Sequence, residues 1–256
     1  MENITSNQNS RVKAWQKLQT KKGRDKSQTY LLDGWHLVQE AIHHDGHLHA
    51  IMGTSAQLTE HQDEFPQGVP LFEITADIAK KLSDLVTPQG IFAEVSLPNA
   101  TREPQYIHQG AWLFLDHIQD PGNVGTMVRT ADAAGFAGVV FGEGSVDPYA
   151  PKAVRAMQGS QFHLTITTGD LLNWTRTFQA NDMNVYGTQL DEQAADLFTI
   201  PAQTDFALIM GNEGQGMQDD LVQATTQNLY IPLSGEAESL NVAVAAGIAM
   251  FALSQH

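Results

Sequence analysis

Cysteine is absent from all 256 residues, which excludes disulfides, thiolate metal sites and a cysteine nucleophile together, and suits a chain with no use for an oxidising compartment. No run reaches the roughly 18 consecutive apolar residues of a membrane-spanning helix. The start, Met1-Glu2-Asn3, lacks the basic-then-apolar pattern of a secretory signal. A cytoplasmic protein with no membrane partner is expected. Proline is sparse, and charged residues make up 17% against 42% hydrophobic, so neither a disordered nor a collagen-like chain is expected. Two phosphate-binding fingerprints are also missing. No Gly-rich loop runs into Lys-Ser or Lys-Thr, and no G-x-G-x-x-G follows the first strand, which disfavours NTP hydrolysis and dinucleotide binding.

Positive charge is scarce as well. The 14 Lys+Arg face 29 Asp+Glu, a net charge of -15, which on its face opposes a polyanionic partner. The average conceals a segregation. Residues 1–26 hold seven of the basic side chains, Arg11, Lys13, Lys17, Lys21, Lys22, Arg24 and Lys26, against only Glu2 and Asp25. Half of the positive charge in a tenth of the chain is the footprint of a nucleic-acid contact segment, with a solvated helix face as the plainer reading. Trp15, among these residues, is expected to pack its helix onto the domain rather than stack on a base.

Along the chain, apolar runs and helical spacings alternate. A strand from Tyr30 leads to a helix with Leu37, Val38, Ala41 and Ile42 on one face. Strands at Leu48–Met52, Val69–Ile74 and Gly90–Val95 alternate with helices at Ala56–Glu64 and Ala76–Ser83. The segment Leu97 to Pro104 has two prolines and little apolar content, which marks a linker. The division expected is 1–97, linker 98–104 and 105–256. In the second part, strands at Trp112–Leu115, Val139–Phe141, Leu164–Ile166, Asn184–Tyr186, Phe206–Met210 and Leu229–Ile231 alternate with helices at Val124–Ala134, Pro151–Met157, Leu171–Ala180, Met217–Ala224 and Ser239–Leu253. This is α/β architecture with a mainly parallel sheet, whose ligands sit beyond the carboxyl ends of its strands. The last helix is apolar all round and is expected to be buried.

Three loops fall at such carboxyl ends. Asp116-His-Ile-Gln-Asp-Pro-Gly-Asn-Val-Gly runs into a helix that carries Arg129; Gly211-Asn-Glu-Gly-Gln-Gly216 is the second; Pro232-Leu-Ser-Gly-Glu-Ala-Glu-Ser-Leu-Asn241 is the third. Singly, each reads equally well as a tight Gly turn. Arg129, in a small and mostly apolar helix, needs solvent, a site or a partner. Asn123 and Ser239 have plain N-cap readings, and Glu213 between glycines reads as a solvated turn carboxylate. The cluster His43, His44, His47 and His49 puts no convincing ligand set on one element, so no metal is expected.

Together the loops resemble the three signature motifs of the SpoU (TrmH-like) branch of the SPOUT RNA methyltransferases. The matching stretches are Asp120 to Gly135, Met210 to Met217 and Ile231 to Val242, with Asp147 to Ala156 similar to the family's intermediate segment. Residues from Asn9 to Gly34 resemble its substrate-binding domain. Thr126 and Ala243 depart from the usual Ala and Ser. The resemblance implies a SPOUT-type parallel sheet with a trefoil knot, preceded by a small ribosomal-protein-like α/β domain. It also implies a homodimer and a ribose 2'-O-methyltransferase using S-adenosylmethionine.

The family's catalytic positions fall on Asn123, Arg129, Glu213, Ser239 and Asn241, and its cofactor positions on Gly211, Ile231 and Leu240. Glu213 is implied to order the arginine. Arg129 is implied to activate the ribose hydroxyl; a guanidinium, protonated at all working pH values, suits phosphate positioning and alkoxide stabilisation better than proton abstraction. Ribosomal RNA is the leading substrate because of the separate N-terminal domain. Transfer RNA, and a non-catalytic RNA-binding protein on the same scaffold, are the alternatives.

Overall fold

The computed structural model describes residues 1–44, 46–98, 104–106, 109–189 and 193–254. Contacts divide the chain into two compact units, Met1–Pro98 with Tyr149–Phe162, and Asn99–Pro148 with His163–His256. Of the linker expected at 98–104, residues 99–103 lie outside the described residues.

The first unit runs β1 (Glu2–Ile4), α1 (Ser10–Lys17), α2 (Lys21–Ser27), β2 (Thr29–Asp33), α3 (Trp35–His43), β3 (Leu48–Gly53), α4 (Ser55–Glu60), β4 (Leu71–Ile74), α5 (Ala76–Leu82) and β5 (Ile91–Ser96). Its strands form one mixed sheet in the order β1-β4-β3-β5-β2, with β5 antiparallel to both neighbours. The basic segment is therefore two helices. Val12, Trp15 and Leu18, three residues apart, bury one stripe of α1 and its end in the core with Phe72 and Ile78. Trp15 meets Phe72 edge-on at 5.4 Å and donates its ring N–H to Glu94, the packing role expected of it.

The second unit opens with β6 (Ala111–Leu115), α6 (Pro121–Ala133) and β7 (Gly138–Phe141). The chain then returns to the first unit for α7 (Pro151–Met157). It resumes with β8 (Thr165–Thr168), α8 (Leu171–Ala180), β9 (Asn184–Thr188), β10 (Ala195–Asp196), β11 (Phe206–Met210), α9 (Asp219–Ala224), β12 (Gln227–Tyr230) and α10 (Val242–Leu253). All seven strands are parallel, in the order β10-β12-β9-β11-β6-β7-β8. Neighbours β6 and β11 are buried along their full length, which is why both read as unbroken apolar runs. Trp112, Phe114, Trp174 and Phe178 pack one side of this sheet.

Three features differ from the sequence reading. The edge strands β1 and β10 are too short for any periodicity to reveal. Residues 149–162 group with the first unit, where the sequence division ran unbroken from 105: Tyr149 packs on Tyr30 at 4.9 Å and Arg155 pairs with Asp84. Finally, α10 starts at Val242 rather than Ser239 and is not wholly buried, since Val244 is 52% and Phe251 47% exposed in the single chain.

Candidate active site

Because the sheet is parallel, the loops after β6, β11 and β12 leave it at one edge. The first enters α6 through Asp120, whose carboxylate accepts the backbone N–H of Asn123 at 2.8 Å, with Pro121 at the first helical position. An Asp-Pro pair supplies both a strong cap and a φ already suited to the helix. Asn123 is therefore not the cap, and its side chain is free to act elsewhere.

It joins the other two loops. Asn123 Nδ2 donates to Glu213 Oε1 at 3.1 Å, and Asn123 Oδ1 accepts from Asn241 Nδ2 at 3.1 Å. Asn241 Oδ1 in turn caps α10, accepting from Ala243 and Val244 N–H. The ends of this chain dictate its polarity: a carboxylate only accepts and a helix N-terminus only donates, so both amides have one allowed orientation. Partial burial works to raise the Glu213 pKa, but bonds from its own N–H, the Asn123 amide and the Asp120 and Gln119 N–H groups outweigh it, leaving the carboxyl below its ordinary value. Glu213 is thus held as an anion.

Glu213 also lines a cavity of about 800 Å³ bounded by the loops after β9, β11 and β12. Gly211, Ile231, Leu240 and Ser239 all lie on its wall. Gly211 is there by necessity, since a Cβ would come within 2.3 Å of Met217 N and 2.4 Å of the Gly216 carbonyl carbon; the turn could not double back past a side chain. Apolar walls from Met210, Leu229, Ile231 and Val242, a backbone turn, and the carboxylates of Glu213 and Glu238 share one cavity. That combination fits S-adenosylmethionine, which has a flat nucleobase, hydrogen-bonding ribose and amino-acid groups, and a cationic sulfur.

Two of the five catalytic candidates stand apart from the chain of bonds. Ser239 is exposed and caps no helix, because Asn241 takes that role. Arg129 lies about 9 Å along α6 from Asn123, exposed and, among the described residues, without an ion pair or hydrogen bond. Glu213 holds Asn123 rather than the arginine it was expected to order.

Of the basic candidates, Arg24 is corrected. It is 3% exposed and donates Nη1 to the Leu18 carbonyl at 2.7 Å, so it closes the end of α1 instead of facing a ligand. Arg11 lies over the Phe72 ring at 4.7 Å and near Glu2, and Lys21 pairs with Asp25. Lys13, Lys17, Lys22 and Lys26 are exposed. Asn212 and Asp116, to which the sequence reading assigned no role, are also built into the site. The signal was present for Asp116: an acid that closes an all-apolar strand needs donors wherever it is buried.

The same regions are similar to known proteins. Residues 110–251 match the family model described as the SpoU rRNA Methylase family, and residues 9–93 match an MRM3-like substrate binding domain. Over 253 residues, 99% of each chain, the protein is 40% identical to the 23S rRNA (guanosine(2553)-2'-O)-methyltransferase RlmP of Bacillus subtilis (strain 168). It is 32% identical to the 23S rRNA (guanosine-2'-O-)-methyltransferase RlmB of Acinetobacter baylyi, over 73% of this chain and 78% of that one. The crystal structure of an AdoMet-bound rRNA methyltransferase from Sinorhizobium meliloti superposes with a TM-score of 0.88 at 29% identity, covering 98% of this chain and 97% of the other.

Proposed function

The chain belongs to the SpoU rRNA methylase family, a ribose 2'-O-methyltransferase dependent on S-adenosylmethionine, and we propose that its substrate is ribosomal RNA of the large subunit. The relatives RlmP and RlmB, named for 23S rRNA, support that substrate. The observation that carries the reading is the bonded chain Asn241–Asn123–Glu213, which ties three loops together at a cavity fitted to the cofactor.

When bound, S-adenosylmethionine supplies an electrophilic methyl group on a cationic sulfur. The residues of this chain supply alignment and charge. Residues 1–97 hold the RNA through phosphates and shape, with Lys13, Lys17, Lys22 and Lys26 as the free contacts and Arg11 and Lys21 as weaker ones. Residues 105–148 and 163–256 form the catalytic domain. Gly211, Ile231 and Leu240 supply close backbone approach and apolar walls for the nucleoside. Glu213, ionised, fixes the Asn123 amide, which with Asn241 and Ser239 orients the ribose. Arg129, without a side-chain partner among the described residues, would meet the adjacent phosphate and stabilise negative charge on the ribose oxygen as its proton passes to water. The exposed apolar positions Val244 and Phe251 on α10 support a homodimer contact there. We assign the trefoil knot on the same family grounds, and a cytoplasmic location from the ribosomal substrate.

Tritiated S-adenosylmethionine, purified protein and separated RNA fractions test this. Label is expected in large-subunit ribosomal RNA; label in transfer RNA alone, or bound cofactor with no label in any RNA, overturns it.

A further inference from the structure

Asp116 closes β6 with 1% exposure, so its carboxylate depends on partners inside the protein. The backbone N–H of Gln218 donates to Oδ2 at 2.8 Å, the Gln218 side-chain amide donates to Oδ1 at 2.8 Å, and the His117 ring Nδ1 lies 2.7 Å from Oδ1. His117 adopts φ 54, a left-handed conformation costly for a residue with a Cβ. Its ring occupies space left by Gly144, where a Cβ would lie 2.3 Å from His117 Cδ2. In this conformation the His117 carbonyl accepts from Asn212 Nδ2 at 2.8 Å, and Asn212 Oδ1 accepts from Gly214 and Gln215 N–H at 3.0 and 3.1 Å.

Asn212 and Gln218 sit on the two arms of one turn. Reciprocal bonds between Asn212 and Gly216 close it, and it carries Glu213 along the cavity wall. Two adjacent residues of the first loop therefore grip both arms of the second. The sheet itself does not need this grip, because β6 and β11 already pair along five residues. Backbone strain and a buried, fully engaged carboxyl group beside a ligand site are the signature of a positioning device.

We propose that Asp116 and His117 are a positioning pair that holds the turn 212–217 in its cofactor-binding shape and sets affinity for S-adenosylmethionine without touching it. The proposal rests on the cavity being the cofactor site. Calorimetric titration of the full-length protein with S-adenosylmethionine tests it, at a temperature where circular dichroism shows each variant folded. Asp116→Asn and His117→Val are expected to weaken binding at least tenfold. His117→Asn, whose side chain tolerates the left-handed backbone, recovers most of the His117→Val loss, a rescue that a general packing role would not produce. Gln218→Met, which removes one donor and keeps its backbone N–H, weakens binding three- to fivefold and decides the matter if Asp116→Asn does not fold. Folded Asp116→Asn or Gln218→Met binding as tightly as wild type, or His117→Asn as weak as His117→Val, overturns the pair while leaving the cofactor site intact. Wild-type protein that binds no S-adenosylmethionine removes the cofactor reading and this proposal with it.

Discussion

Arg129 and Glu213 do opposite things with charge. Arg129 stands exposed on α6 with its donors uncommitted among the described residues, whereas Glu213 spends its carboxylate on Asn123 and nearby backbone. Arg129→Ala should therefore abolish methyl transfer while cofactor affinity, by titration, stays within about tenfold, or roughly 1.4 kcal/mol; unchanged turnover would take Arg129 out of the mechanism. Glu213 makes a pH statement. Its folded pKa is depressed, so its contribution to stability is present above the ordinary glutamate value of about 4.3 and is lost as pH falls through the depressed value. The difference in melting temperature between wild type and Glu213→Gln should shrink across that acid window. A constant difference down to pH 3 would show that the charge contributes nothing.

Residue identities were legible where local chemistry decides them and illegible where a distant acceptor does. The family resemblance, not the loops taken singly, singled out Asn123, Glu213 and Asn241, and only Asp120 taking the cap of α6 frees the Asn123 side chain to bridge the other two. Arg24 looks in sequence like its six basic neighbours. Nothing nearby shows that the Leu18 carbonyl at the end of α1 needs a buried donor.

Among the elements, α7 shows most clearly what a linear reading misses. Its helical pattern is plain in sequence, but its unit depends on Arg155, which makes a two-pronged pair with Asp84 at 2.6 and 2.8 Å and lies 3.9 Å from the mostly buried Asp33. Burial raises the Asp33 pKa, outweighing the Ser83 hydrogen bond and the Arg155 charge. An acid with a raised folded pKa costs stability as pH rises through that value, and Arg155 limits the cost. Arg155→Ala should destabilise the protein by about 2–3 kcal/mol near neutral pH, below the full effect of breaking a buried pair because Asp84 is half exposed. Adding Asp33→Asn should restore about 1 kcal/mol by removing the stranded charge. Urea melts of the single and double variants measure both, and a double variant no more stable than the single contradicts this account. By contrast, β6 and β11 were readable because strands covered on both faces must be apolar throughout, while β1 and β10, three and two residues long, leave no pattern.

Across the whole molecule, the segregation of charge reconciles a net -15 with an RNA substrate. Lys13, Lys17 and Lys22 are exposed, so replacing all three with Ala should weaken RNA binding and lower the slope of log affinity against log salt by about 2. Cofactor affinity should not move. An unaltered slope in a filter-binding series would assign the RNA contact to another surface. The architecture was legible because alternating strands and helices call for a parallel sheet and its ligand edge; the proposed knot would leave no local signature in sequence.

The central claim is that three loops enclose a methyl donor and present it to a sugar. Mass spectrometry of nucleosides from ribosomal RNA treated with the protein and deuteromethyl-labelled S-adenosylmethionine tests that claim most directly. The account predicts the label on a ribose 2'-oxygen, and its absence with Arg129→Ala; label on a nucleobase would contradict it.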